Sequence, residues 1–526
     1  MAVRPVLIGG QWRDADANSS FHAVNPATKE PIPDDYPVSS WKDCDEALDA
    51  AASAAESLRE KSPDQIAGFL ENYADRIDAR KDELVEMANA ETALPKAPRL
   101  ADIELPRTTG QLRAAAAAAR NGSWIHATID SSMNIRSCYG SIGPVCVFGP
   151  NNFPFAFGSI SGGDFAAAIA AGNPVIAKAN SSHPGTTRLL GEEAEAAEQE
   201  TGMPPGTVQL LYRLNHADGK RLVSDPRAGA TGYTGSRSAG LALKAAADAA
   251  GIPIYLELSS INPVVILPGA LNERLEQLAD EFTTSCLMGT GQFCTNPGMV
   301  VLLKGHESDS FISTVAEKFK AAPVGTLLSS GVEKSLGENL KTLTESGAKS
   351  VAGNTSEGGQ GFSFANTLLV AAGDDFLAAP EALQTEAFGN SSLFVIADDV
   401  GQAVEILDHL EGNLTGCIYS DSDGSDDADY DRLAPHLRQK VGRLLNDKMP
   451  TGVAVTGSMN HGGPYPATGH PGFTAVGIPA SMVRFATLQC YDNVRPHRLP
   501  GFLQDKNPNG EIWRLIDGQW SQADVT

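Results

Sequence analysis

The chain has 526 residues, of which 42% are apolar and 20% charged, enough hydrophobic material for roughly two or three ordered domains and too much for a disordered polymer. Its formal net charge of −24 repels phosphate backbones and anionic lipid at long range, so neither nucleic acid nor membrane is an expected partner, and an anionic substrate needs a basic group of its own. Seven widely spaced cysteines give neither a disulfide framework nor a CxxC metal pattern, which predicts reduced thiols and no metal site.

The N-terminal run MAVRPVLIGGQW lacks a signal-peptide core, and every apolar stretch, such as AAAIAAGNPVIA, is broken by Gly, Asn or Pro well short of the ~20 residues a membrane helix needs. A cytoplasmic location is expected. Residues 44–91 repeat apolar side chains at helical spacing, with Ser62-Pro63 opening a new helix. From about residue 141, short β-rich runs alternate with helical ones: IGPVCVF, DFAAAIAA, PVIAKA, TTRLLGEEAEAAEQE, TVQLL, GKRLVS, GATGY, RSAGLALKAAADAA and PIYLEL. This alternation predicts an α/β fold with a doubly wound parallel sheet whose carboxyl edge carries the ligand. A second α/β series starts at NPVVILP, runs through NERLEQLADEFTTSCLMG and reaches GMVVLLK, with a hinge expected between Glu257 and Pro263. Beyond Pro450 the chain turns rich in glycine and proline (HGGPYPATGHPGF) and closes with GEIWRLIDGQW.

Several residues stand where chemistry is carried. Cys294 lies in GTGQFCTNPG, a small polar loop after a long helix; a lone cysteine is more often core filling, but here backbone N–H groups could stabilise a thiolate. Glu257 ends the apolar run IPIYLEL at a strand's carboxyl end, as a general base or as an ordinary paired glutamate. In FGPNNFPFAFG, Pro150 and Pro154 fix a turn around Asn151 and Asn152, whose amide could donate to an oxyanion. GSRSAG, with Gly235 and Ser236, has the strand, glycine-rich turn and helix context of a phosphate cradle without being GxGxxG. Lys178 closes the strand PVIAK, within reach of a ribose or phosphate, or simply solvated.

Taken together, NNFP (Asn152), VIAK (Lys178), YTGSRSAG (Ser236), LELSS (Glu257), GQFC (Cys294) and EAFG (Glu386) resemble the aldehyde dehydrogenase superfamily, in its order and spacing and over nearly the whole chain. SSINPVVILPGAL, HGGPYPAT, FTAVG and NPNGEIWRLIDG further resemble the branch containing α-ketoglutarate semialdehyde (2,5-dioxovalerate) dehydrogenases.

The resemblance implies a Rossmann-type cofactor domain (1–121 and 141–256), an α/β catalytic domain (257–455), and a small β oligomerisation arm with a C-terminal tail (122–140 and 480–526). It implies Cys294 as nucleophile, Asn152 in the oxyanion site and Glu257 as the base for thioester hydrolysis. Lys178 and Ser181 fall near the adenosine ribose, Gly235 and Ser236 at the pyrophosphate, Glu386 and Phe388 near the nicotinamide ribose. NAD-preferring members often carry a glutamate where this chain has Ser181; losing that charge, with Lys178 and Arg213 nearby, favours NADP, with NAD as the alternative. For the aldehyde, the resemblance places Arg107 in LPRTTGQLR at the tunnel mouth, the alternative being an ordinary helix-surface arginine, with Gln111 assisting and Phe155 and Phe293 forming the wall. The activity implied is oxidation of 2,5-dioxopentanoate to 2-oxoglutarate by a homodimer or homotetramer, the alternative being a broad aliphatic or fatty aldehyde dehydrogenase. Glu257 argues against a CoA-acylating enzyme; a cofactor-free cysteine hydrolase would pair Cys294 with His461. Two departures from the family pattern are Ser259-Ser260 after the glutamate and Asn390 in place of the proline after EAFG.

Overall fold

A computed structural model describes residues 3–356, 358–508 and 510–526; Met1 and Ala2 of the N-terminal run and Asn509 of NPNGEIWRLIDG lie outside the described residues. Helices Trp41–Leu58, Pro63–Ala79 and Lys81–Thr92 occupy the predicted helical block. Pro63–Ala79 starts where predicted because Ser62 and Gln65 close a reciprocal capping box and Pro63 needs no N–H partner in the first turn.

The first large sheet runs Ile254–Glu257, Ala230–Thr234, Val145–Phe148, Val175–Lys178, Val208–Leu211, and then Val6–Ile8 and Gln11–Arg13. The first five strands are parallel, and the two N-terminal strands join antiparallel. Val145–Phe148 and Val208–Leu211 are buried at every residue, as strands covered on both faces must be. Strand order reverses between Val145–Phe148 and Ala230–Thr234, and it is outside the carboxyl ends of such a pair that doubly wound sheets open a crevice.

The chain crosses from Ile254–Glu257 into the second seven-stranded sheet at Val264–Ile266, over the segment predicted as a hinge. In that sheet Met299 and Val301 face one apolar cluster while Val300 and Leu302 face another, the period of a strand with helices on both sides. A further sheet joins Thr128–Asp130 and Ile135–Ser141 to Ala486–Asp492, Arg514–Ile516 and Gln519–Ser521, uniting the two distant segments expected to form an arm. Among the described residues no helix is long and apolar enough to cross a membrane.

After Val441–Asn446 the glycine- and proline-rich segment returns to the first sheet. Leu258 N–H donates to the Ala467 carbonyl at 2.8 Å and Gly469 N–H to that of Leu256 at 3.2 Å, so the segment pairs across the end of strand Ile254–Glu257. Glycine is required on the way: a Cβ at Gly462 would stand 2.1 Å from the Phe473 carbonyl oxygen, and one at Gly463 2.2 Å from that of Asn413. This segment, residues 456–479, had no place in the expected domains, and it brings the buried His461 beside Cys294 and Glu257.

Candidate active site

Cys294 follows helix Pro268–Leu287 in a tight turn. Thr290 and Gly291 hold positive φ angles of 60° and 68°, and a Cβ at Gly291 would meet the Gly389 carbonyl oxygen at 2.0 Å, so only glycine lets the cysteine loop press against the Glu386–Gly389 segment. Asn262 clamps the loop from below: its amide donates to the Cys294 carbonyl at 2.9 Å and to the Asn296 carbonyl at 2.8 Å. Ser260, one of the two departures after Glu257, donates to Asn262 Oδ1 at 2.8 Å and accepts from Leu414 N–H at 3.0 Å. It therefore belongs to the same clamp.

Three chemically capable side chains meet above this turn. His461 Nε2 lies 3.4 Å from Cys294 Sγ and 3.0 Å from Glu257 Oε1. The imidazole is held by its backbone, with His461 N–H donating to Thr474 Oγ1 at 3.1 Å and Ala475 N–H to the His461 carbonyl at 2.9 Å, and its ring stands 5.7 Å from that of Phe157. Glu257 is buried at the end of its strand, and its second oxygen has no hydrogen-bond partner. Burial, and after it the neighbouring Glu257, push the Cys294 thiol well above the usual thiol range; Arg107 acts in the opposite direction. That shift favours the thiol over the thiolate, so a base or an approaching positive charge is what would make the sulfur a nucleophile.

Asn152 is buried beside the cysteine, its amide donating to the Gln292 carbonyl at 2.9 Å. Beneath it Arg99 and Glu104 form a buried ion pair. Arg99 donates to the Asn152 carbonyl at 3.0 Å, and Glu104 Oε1 accepts the backbone N–H groups of Phe155 and Ala156 at 2.9 and 3.0 Å. The pair pins both ends of the NNFPFA turn. Neither residue carries a motif in the sequence, and proximity across 51 and 52 positions is invisible there.

That pinning corrects two expectations about the aldehyde side. Phe155 does not form the tunnel wall: its tethered N–H turns the side chain into the main core, where it is fully buried. Phe153 takes the place, its ring 5.4 Å from Phe293 and 5.2 Å from Phe157. Gln111 does not face the cavity either; it is buried and donates to the Ala156 carbonyl at 3.0 Å, while Arg107, Gly110 and Ala114 form the open face of their helix.

Sequence neighbours line opposite chambers. Asn152 and Cys294 face a cleft of about 430 Å³, and Phe153 and Phe293 face a chamber of about 530 Å³ with Arg107, Met288, Val453 and Val455. Between the two chambers stand the residues that would touch a reacting carbonyl. Arg107 is half-buried, with its Nε and Nη2 buried and without a hydrogen-bond partner among the described residues, and its guanidinium lies 4.9 Å from the centre of the Phe157 ring. Burial lowers its pKa from the usual arginine value, against the neighbouring Glu104 carboxylate, which raises it.

The cleft faced by Cys294 opens at the switch point of the first sheet, between Pro150-Asn151-Asn152 and Thr234-Gly235-Ser236. Ser236 caps helix Arg237–Ala250 without a side-chain cap bond, which leaves first-turn N–H groups and a positive helix end for an anionic group. At Gly235 a Cβ would meet the Tyr233 hydroxyl at 2.7 Å. Lys178 ends its strand beside Phe148, and burial, with Arg213 adding repulsion, lowers its ammonium to about 8. Arg213 is exposed over Phe21, and Ser181 is half-buried in the turn after Lys178. Glu386 and Phe388 line the same cleft; burial pushes the Glu386 carboxyl up to about 7, against the Ser259 hydroxyl and Ser260 N–H bonds that lower it. Asn390, the other departure, is buried and donates to the Phe364 carbonyl at 2.8 Å and Asn366 Oδ1 at 2.7 Å, anchoring the loop a proline would have stiffened. A dinucleotide with a pyrophosphate fits this donor set.

Residues 12–462 match the sequence profile described as the aldehyde dehydrogenase family. The chain is 40% identical to alpha-ketoglutaric semialdehyde dehydrogenase 2 of Azospirillum brasilense, with 98% of each chain covered. It is 35% identical to alpha-ketoglutaric semialdehyde dehydrogenase of Acinetobacter baylyi, again with 98% of each covered. The NAD+ complex of aldehyde dehydrogenase from Bacillus cereus superimposes with a TM-score of 0.80 at 19% identity, covering 93% of this chain and 96% of that one.

Proposed function

Since this chain belongs to the aldehyde dehydrogenase family, we propose that its substrate is an aldehyde bearing a distal carboxylate, 2,5-dioxopentanoate, which it oxidises to 2-oxoglutarate. The observation that carries this reading is Arg107: two guanidinium nitrogens, buried and without a hydrogen-bond partner among the described residues, in a mainly apolar chamber whose other charged groups, Arg99 and Glu104, are paired with each other. A carboxylate there would be met by charge-assisted hydrogen bonds in a low-dielectric setting, offsetting the repulsion of a net charge of −24. The relatives named for α-ketoglutaric semialdehyde act on such a compound.

Cys294 Sγ attacks the aldehyde carbon as His461 Nε2 takes the thiol proton, and the resulting thiohemiacetal oxyanion is met by the Asn152 amide and the Cys294 backbone N–H. Bound in the cleft between Asn152 and Ser236, a nicotinamide dinucleotide would supply the hydride acceptor. Cys294 is left as a thioester; Glu257 takes a proton from the water that hydrolyses it, the acid leaves, and the released thiolate recovers its proton from His461 while Glu257 returns its own to solvent. Ser236 and the helix end behind it would hold the pyrophosphate, Lys178 and Ser181 the adenosine ribose, Glu386 and Phe388 the nicotinamide ribose. NADP is the preferred form in this reading, because no carboxylate stands at position 181 to repel a 2′-phosphate and Lys178 and Arg213 supply positive charge. The arm sheet, with Leu488, Trp513 and Trp520 exposed, would join copies of the chain into a homodimer or homotetramer in the cytoplasm.

The apolar walls of the chamber favour one second reading, a broad aliphatic or fatty aldehyde dehydrogenase. A chain-length series of aldehydes with and without a terminal carboxylate, run with both cofactors, separates the two. Arg107→Met should raise KM for the carboxylated series alone; an equal effect on both series returns the reading to the broad enzyme.

A further inference from the structure

Cys294, His461 and Glu257 come from three distant segments, so no spaced ligand motif announces them, and the sequence predicted no metal site. Their ligand atoms nevertheless lie within 4.8 Å of one another. We propose that the three form a site for a thiophilic divalent cation, zinc, whose binding reversibly blocks the nucleophile.

Zinc bonds of about 2.3 Å to sulfur and about 2.0–2.1 Å to nitrogen or oxygen, at tetrahedral angles, set sulfur about 3.5 Å from nitrogen and nitrogen about 3.4 Å from oxygen. Here Sγ to Nε2 is 3.4 Å and Nε2 to Oε1 is 3.0 Å. Two of the three donor edges therefore stand close to those of the tetrahedron, and the sulfur-to-oxygen edge lies within 4.8 Å. The second Glu257 oxygen is buried and without a partner, an acceptor that only a cation or donor from the cleft can satisfy. Thiolate and carboxylate together cancel the dication's charge, which removes most of the cost of holding it in a buried place. Both residues line the cleft between Asn152 and Ser236, which gives the ion a way in and leaves the fourth position to water, as in three-ligand zinc centres. Thr474 and Ala475 hold the imidazole backbone and Asn262 holds the cysteine carbonyl, so little reorganisation is needed.

On binding, the Sγ–H proton leaves to solvent, a zinc–sulfur bond forms, and His461 Nε2 and a Glu257 oxygen donate lone pairs; nothing is oxidised or reduced. The sulfur lone pair that would attack an aldehyde is then engaged.

The test uses the whole chain, stripped with chelator under anaerobic conditions and titrated first with cobalt(II) and then with zinc, with no substrate or cofactor present. A thiolate-to-cobalt charge-transfer band that zinc displaces, absent in Cys294→Ser, is the expected result. Zinc affinity measured against a chromophoric chelator should fall in His461→Gln by more than the roughly 10–100-fold that losing an outer-shell partner costs. Circular dichroism verifies folding, and if His461→Gln does not fold, Glu257→Gln serves the same decision. Absence of the band, or parental zinc affinity in Cys294→Ser or in the folded second variant, overturns the site. Turnover is not read, so a chain that oxidises aldehydes yet gives no band loses the metal site and keeps the dehydrogenase reading.

Discussion

Glu257 Oε1 lies 3.0 Å from His461 Nε2, although the two residues are 204 positions apart in the chain. The contact holds the carboxylate at the end of its strand, facing the sulfur rather than bulk water.

If Glu257 serves the hydrolytic half of the reaction, Glu257→Gln, which keeps a hydrogen-bond partner for the imidazole, should lower steady-state turnover by about 10²–10⁴. Acylation should persist, so stopped-flow mixing should still show a burst of reduced nicotinamide matching the enzyme concentration. A burst lost in step with turnover would place Glu257 in the earlier half instead.

The Arg99–Glu104 pair is a structural pin whose removal should be felt at Asn152. Glu104→Gln leaves the buried Arg99 without its anion and weakens the grip on the Phe155 and Ala156 N–H groups. Loss of one partner of such a buried pair costs about 3–5 kcal/mol. Urea denaturation should show a fall of that order, with kcat reduced in the protein that remains folded. Unchanged stability would contradict the burial argued here.

The lowered Lys178 ammonium gives the cofactor step a pH limb. Burial brings its pKa to about 8 in the free protein, so its positive charge is complete below that pH and lost above it. Because kcat/KM reports the free enzyme, the value for NADP should decline as pH rises through about 8. The decline should move out of range in Lys178→Arg, whose guanidinium stays charged. A profile flat to pH 10 in the parent would remove Lys178 from cofactor binding.

Ser181→Glu tests the cofactor preference directly. A carboxylate in the turn after Lys178 repels a 2′-phosphate and accepts bonds from free ribose hydroxyls. KM for NADP should rise at least about tenfold, a cost of 1.4 kcal/mol in binding, while KM for NAD falls or holds. A ratio that does not change would show that position 181 does not read the ribose.

Cofactor-side chemistry was legible in the sequence because it is local. A strand's carboxyl end, the turn after it and the helix that follows are contiguous in the chain, so VIAK, GATGYTGSRSAG and IYLELSS carried Lys178, Ser236 and Glu257 to one sheet edge by periodicity alone. The cysteine loop declared itself through glycines that its positive φ angles require.

What the sequence by itself determined, then, was the order of elements, the sheet edge at which the cleft opens and the chemical types gathered there. Tertiary structure decided which side chains share a wall and which turn away. Phe153 rather than Phe155 faces the chamber because Glu104, some 50 residues earlier, tethers the intervening backbone. His461 reaches Cys294 because a glycine-rich segment pairs across the end of a strand laid down about 200 residues before it. Such contacts follow from long-range packing and hydrogen bonds that close only when both sheets are in place, and no local period encodes them.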